Sequence, residues 1–197
     1  LSSYQPDAPA FNFPEMARNF INPMTWLERH FYADTCFCVT HGDMHSHNVL
    51  VDESKRAWLI DFTRTGEGHI LRDFIELESD IKFALLDETD IPALCEFEVA
   101  LLSPERLDQK LEPGNRFQRA SLNKAFAVVS ALRALALRFY PGASMEEYYQ
   151  ALLHQTLNVI RLRHVGPGKK HHALMAAALA CERLQNWDSP WPPADIQ

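Results

Sequence analysis

Residues 41–62 read HGDMHSHNVLVDESKRAWLIDF, and the reading of the fold turns on this stretch. His41 to Asn48 is a polar loop that follows a short β-rich run, Cys36 to Thr40. Two further apolar runs come next, Val49 to Val51 and Ala57 to Ile60. Asp52 to Lys55 between them supplies turn-forming residues, so the pair is expected to fold as a hairpin. Asp43 stands near the start of the loop, Asn48 at its end, and Asp61 just past the second hairpin strand. A hairpin brings its two ends together. Asn48 and Asp61 are therefore expected close enough to share one cation, with Asp43 beside them.

Those three residue types suit phosphoryl transfer. Its transition state is loose, so the protein contributes positioning and charge neutralisation more than covalent chemistry. Mg²⁺ takes hard oxygen ligands, often one or two protein groups plus phosphates and water. Asn48 and Asp61 offer such oxygens, and Asp43 is placed to accept a hydrogen bond from an attacking hydroxyl.

The pattern H-G-D-x-H-x-x-N followed by I-D-F resembles the catalytic loop and metal-binding segment of the aminoglycoside phosphotransferase and choline kinase superfamily. These are relatives of the protein kinases, whose loop reads H-R-D-x-x-x-x-N with a later D-F-G. The positions that match are His41, Gly42, Asp43, His45, Asn48, Ile60, Asp61 and Phe62. The resemblance implies that Asp43 is the catalytic base, that Asn48 and Asp61 hold Mg²⁺, and that ATP is the donor. It implies that His41, His45 and Asp73 support the loop, Asp73 from the start of a helix. The run from Ile60 to Glu78 also resembles a bacterial subgroup associated with ternary conflict-system complexes. Thr63 departs from the pattern, standing where a protein kinase has the glycine of D-F-G. The larger departure is the N-terminal lobe of a kinase. That lobe needs a Gly-rich loop and a strand lysine, yet no glycine precedes Gly42 and no lysine precedes Lys55. The expected fold is thus α+β, mainly α: a protein-kinase-like C-lobe with a small hairpin beside the catalytic loop. Its N-lobe is missing from this chain and is expected on an upstream segment, on a partner protein, or nowhere. The chain starts at Leu1, not methionine, which suggests a piece of a longer polypeptide.

Outward from the loop, residues 1–13 read as an extended lead-in containing Pro6 and Pro9. From Pro14 to Phe31 the apolar residues Met16, Phe20, Met24 and Leu27 recur at helical spacing, with Pro23 as a break. Thr63 to Gly68 reads as a loop. Helices are expected over Ile70 to Leu85, Ile91 to Leu102, Phe117 to Tyr140, Ser144 to His164 and Lys170 to Asn186. Ser144 with Glu147 fits a capping box. The tail, residues 187–197, is rich in Pro and Trp and cannot continue a helix. No βαβ series appears, so a doubly wound sheet is not expected, and residues 1–197 read as one lobe-like domain.

Composition narrows the function classes. The formal charge of −7 argues against a general nucleic-acid binder, which needs clustered cations. The N-terminus has no secretory pattern. The longest apolar segment, Ala125 to Phe139, carries Arg133 and Arg138 and reads as too short for a bilayer. Cys36, Cys38, Cys95 and Cys181 show no metal-like spacing and read as reduced, mostly buried thiols. The expectation is a soluble cytoplasmic protein.

Several readings compete. His41, His45 and His47 also invite a zinc or manganese metallohydrolase. A kinase-like module that has kept the loop but works as a scaffold is a further alternative. Arg64, His69 and Arg72 are candidates to meet anionic substrate or phosphate groups, although Arg72 also stands four residues from Glu76, the spacing of a helical ion pair. His171 and His172 with Lys169 and Lys170 read as a solvated helix start. Trp187 and Trp191 read as packed on the body or as an exposed partner-binding tail. The substrate, a small molecule or a protein with a hydroxyl, carries no readable code.

Overall fold

The structure is a computed structural model in which residues 4–26, 35–109, 111 and 114–193 are described. The order is β1 (Ala10–Asn12), β2 (Asn19–Ile21), a 3-10 turn at Pro23–Trp26, β3 (Phe37–Thr40), β4 (Val49–Val51), β5 (Ala57–Leu59) and β6 (Gly66–His69). Then come α1 (Arg72–Asp80), which runs into a π-helical turn (Ile81–Leu85), α2 (Ile91–Leu101), α3 (Ala120–Phe139), α4 (Met145–Arg161) and α5 (Pro167–Gln185). The fold is α+β and mainly helical, with three separate two-stranded antiparallel sheets, β1 with β2, β3 with β6 and β4 with β5.

The core is built around α5, in which every residue from His172 to Leu184 is buried. A helix covered on all sides belongs inside the domain. Its small residues Ala176, Ala177, Ala178 and Ala180 let neighbouring elements approach closely. α4 runs along it, and α2, β2 and the π turn pack on its other sides. The tail folds back, one of the two outcomes its composition allowed. Trp191 Nε1 donates to the Val99 carbonyl at 3.0 Å, and the Arg183 guanidinium lies 4.5 Å over the Trp187 ring.

α1 is anchored by charges drawn into the core. Arg133 of α3 grips Glu78 of α1 with two contacts of 2.9 and 2.7 Å, and its third nitrogen group donates to the Leu101 carbonyl at 2.6 Å. Tyr148 of α4 donates its hydroxyl to the same carboxylate at 2.7 Å. One turn on, Lys82 meets Glu98 of α2 at 2.6 Å, and His172 Nε2 lies 2.7 Å from the other Glu98 oxygen. Burial pushes Glu78 and Glu98 up, but the Arg133 and Lys82 cations outweigh it, and both carboxyls end below their usual range. Burial pushes His172 down against the pull of Glu98, so the ring is neutral with its proton on Nε2. That tautomer leaves Nδ1 as a buried acceptor with no hydrogen-bond partner among the described residues.

The structure corrects several sequence expectations. Residues 14–22 form no helix, and Pro23–Trp26 form only a 3-10 turn. Phe11 and Phe20 face each other across β1 and β2, and Phe13 joins their ring cluster at 5.5 Å from each. Asn22, fully buried, donates to the Pro6 and Ala8 carbonyls and accepts from Tyr4 and Met24, which folds the lead-in on itself. The remainder of that expected helix, 27–31, lies outside the described residues. The expected loop after Thr63 contains β6, whose Gly66 to His69 pair with Thr40 to Phe37. The capping box is half formed. Ser144 accepts from the Glu146 amide, while Glu147 turns away to His69 and Thr35. Cys95 and Cys181 are buried, and burial pushes the Cys95 thiol up to about 11, but Cys36 is exposed and Cys38 half-buried. α3 is long and apolar enough to cross a membrane by length and composition alone, in contrast to the shorter segment read from the sequence.

The buried charges generate two predictions. Arg133→Met strands the Glu78 carboxylate in the core and should cost about 3–5 kcal/mol in urea unfolding. The double variant Glu78→Leu/Arg133→Met should cost less than Arg133→Met alone. The pH dependence has one sign throughout, because Glu78, Glu98 and His172 all bind protons more weakly folded than unfolded. Their contribution is full above about pH 6.5, weakens as the unfolded imidazole becomes protonated, and falls again below about pH 4.5 as the unfolded carboxyls do. A urea midpoint flat from pH 7 to 4 would refute this.

Candidate functional site

The loop begins where β3 ends. Gly42 has φ +79°, and a Cβ there would stand 2.4 Å from the Arg64 carbonyl oxygen, so only glycine fits. Asp73, in the first turn of α1, accepts the His41 amide at 2.8 Å and the Gly42 amide at 2.9 Å, one with each carboxylate oxygen. The His41 ring reaches the other way, and its Nε2 donates to the Ile60 carbonyl at 2.9 Å. His41 thereby fixes the peptide that precedes Asp61.

Asn48 ends a 3-10 turn, Ser46–Asn48. Its side-chain nitrogen donates to the Asp43 carbonyl at 2.8 Å. Its own carbonyl accepts from Ile60 at 3.1 Å. That bond sets Asn48 across from the residue before Asp61. Asp61 itself is a non-glycine residue at φ 60°, ψ 67°. Left-handed backbone costs an L-residue roughly 1–2 kcal/mol, and Asp is among the few types that tolerate it. The Thr63 hydroxyl donates to the Asp61 carboxylate at 2.7 Å. The Thr63 hydroxyl and amide hold that carboxyl below its usual range, with His41 and Arg64 adding to the effect. Asp61 is exposed and ionised. Asp43 meets the exposed Arg64 guanidinium at 3.4 Å and His45 Nε2 at 3.9 Å.

The other candidates go elsewhere. Arg72 donates to Glu76 at 3.0 Å and to the Gly42 carbonyl at 2.6 Å, so it braces the loop from behind. His69 is turned away from the loop. Its Nδ1 accepts the Leu71 amide at 3.1 Å, so its proton sits on Nε2, 2.8 Å from Glu147 and 2.7 Å from the Thr35 hydroxyl. With both nitrogens committed it ties β6 to α4. His41 is engaged on Ile60, apart from the other two loop histidines, while His45 lies beside Asp43 and Asn48 with its ring edge-to-face on the exposed His47 at 5.8 Å. Among the described residues no group of three or more His, Cys, Asp or Glu is placed to hold a metal ion.

A family model described as ternary complex associated domain 9 matches residues 16–161. The chain belongs to that family. The span shared with the ternary complex associated domain 9 family takes in the loop, the hairpin, α1 and everything through the end of α4. No curated protein and no solved structure matches the chain.

In this domain, sequence reasoning missed Thr63 and Glu147. Thr63 was a departure from a motif, yet D-x-T is a spacing at which a hydroxyl can reach the preceding carboxylate. Glu147 carried no signal, since it reaches His69 only through tertiary folding. The close approach at Gly42 generates a test. Gly42→Ala should destabilise the domain by roughly 1–3 kcal/mol in urea unfolding and displace Arg64. A variant as stable as wild type would contradict the contact.

Proposed function

We propose that this domain is the catalytic-loop half of an ATP- and Mg²⁺-dependent, kinase-like phosphotransferase that acts on a hydroxyl. The reading carries over from the resemblance of residues 41–48 and 60–62 to the C-lobe of aminoglycoside and choline kinases. The observation that supports it most is Asp61. A strained left-handed backbone carries an exposed, ionised carboxylate on the residue after Ile60, whose amide bonds to the Asn48 carbonyl, and strain of that kind tends to sit where function needs it.

The donor set fits Mg²⁺, since the Asn48 amide oxygen and the Asp61 carboxylate are hard oxygens and fewer than a full cage. Asn48 and Asp61 would hold the ion, which supplies charge neutralisation on phosphate oxygens. Asp43 accepts the hydrogen bond of the acceptor hydroxyl, orients it and takes its proton late. Arg64, already beside Asp43, adds positive charge at the place where phosphate charge accumulates.

A second reading has its own observation. Phe37, Val39, Val51 and Trp58 on β3, β4 and β5 are each more than half exposed beside the loop. Apolar surface of that kind marks a contact with another protein surface. It suits the remaining half of a phosphotransferase, and it equally suits a scaffold that has kept the loop without the chemistry.

Calorimetric titration of ATP into the chain, with and without Mg²⁺, separates the two. The phosphotransferase reading expects heat only with Mg²⁺, lost in Asp61→Ala and kept in the remote variant Arg116→Ala. Binding that ignores magnesium, or that survives Asp61→Ala, would remove Asp61 from the site. An absence of binding would favour the scaffold.

A further inference from the structure

Of the four carboxylates of α1, Asp73, Glu76 and Asp80 are spaced three and four residues apart and so align on one side of the helix, away from the buried Glu78. That side lies against the loop. Asp73 takes the amides of His41 and Gly42, Glu76 takes the amide of Met44 at 2.8 Å, and Asp80 takes the amide of Ser46 at 2.8 Å. The stretch from His41 to His45 lies in no helix or strand, so its amides need partners from elsewhere. The helix supplies them in register with the loop.

We propose that Glu76 and Asp80 are positioning residues, each holding one residue of the candidate site through a neighbouring amide. Glu76 holds Met44, the residue after Asp43. Asp80 holds Ser46, the first residue of the turn that ends in Asn48. Asp73 takes the third place through His41, whose ring fixes the peptide before Asp61. One carboxylate of α1 therefore stands behind each of Asp61, Asp43 and Asn48. Arg72 stiffens the middle rung, because it binds Glu76 and the Gly42 carbonyl together. The roles of Asp43 and Asn48 rest on the phosphotransferase reading; the ladder of amide bonds does not.

Two readouts on the full chain test this. The first is amide hydrogen exchange by NMR. Asp80→Ala should speed exchange at Ser46 by about tenfold or more, the worth of a bond to a charged acceptor, and leave Met44 slow. Glu76→Ala should do the reverse. Asp80→Asn keeps an oxygen for the same amide and should restore protection. The second is the affinity for ATP with Mg²⁺, which Asp80→Ala should weaken about tenfold and Asp80→Asn should leave near wild type. Unchanged exchange at Ser46 in Asp80→Ala overturns the proposal. So does loss of protection across the whole core, which would make Asp80 a general stability residue. Faster exchange at Ser46 with undiminished ATP affinity overturns the link to Asn48. If wild type binds no nucleotide while the exchange pattern holds, the phosphotransferase reading fails and the ladder stands.

Discussion

The Arg133 guanidinium reaches across from α3 to close on Glu78 inside the core, and the position of α1 depends on that pair. Two charges taken out of water are costly unless each is fully matched. Here Tyr148 and the Leu101 carbonyl take up what the pair leaves over, and Lys82 with Glu98 repeats the arrangement one turn later. α1 is thus pinned from within on one side. Its other side carries Asp73, Glu76 and Asp80 to the loop, so any shift of the buried pair would be passed on to the loop amides. Arg72 adds a link on the loop side, from Glu76 to the Gly42 carbonyl.

Much of this was legible in the sequence, and the rest was hidden for identifiable causes. The hairpin was readable because Asp52 to Lys55 is strong turn chemistry between two apolar runs, and the structure pairs Val49 with Leu59 as that implies. The five α-helices were readable from apolar spacing and from Pro and Gly at their ends. The N-terminal segment misled, because Met16, Phe20 and Met24 repeat at helical intervals by coincidence. Phe20 instead stacks on Phe11, and Asn22 ties the backbone down, neither of which periodicity records. β6 was invisible because Gly66-Glu-Gly-His69 has no apolar alternation, and its pairing with β3 is set by the chain reversal after Asp61.

For the site, the residue types were readable and their company was not. Asp43, Asn48 and Asp61 stood out by spacing within one short stretch. Arg64, His69 and Arg72 looked alike as three cations downstream, yet they have three different neighbours: Asp43, Glu147 and Glu76. Local spacing could foresee only the last of these. The His69 partner comes from α4, far along the chain, and only the folded core brings it near.

The π-helical turn at Ile81–Leu85 carries a consequence for how this chain can change over generations. It forms the last turn of the helix and closes with the Leu86 amide on the Ile81 carbonyl five residues back, so it takes one residue more than an α turn. Deleting a single residue there would tighten the turn to α pitch and shift Leu86, where the helix ends in extended backbone. Leu86 is buried now, and the shift would take it out of its place in the core. The stretch should therefore accept substitutions more readily than changes in length, and descendants of this domain should keep its residue count between Asp80 and Leu86.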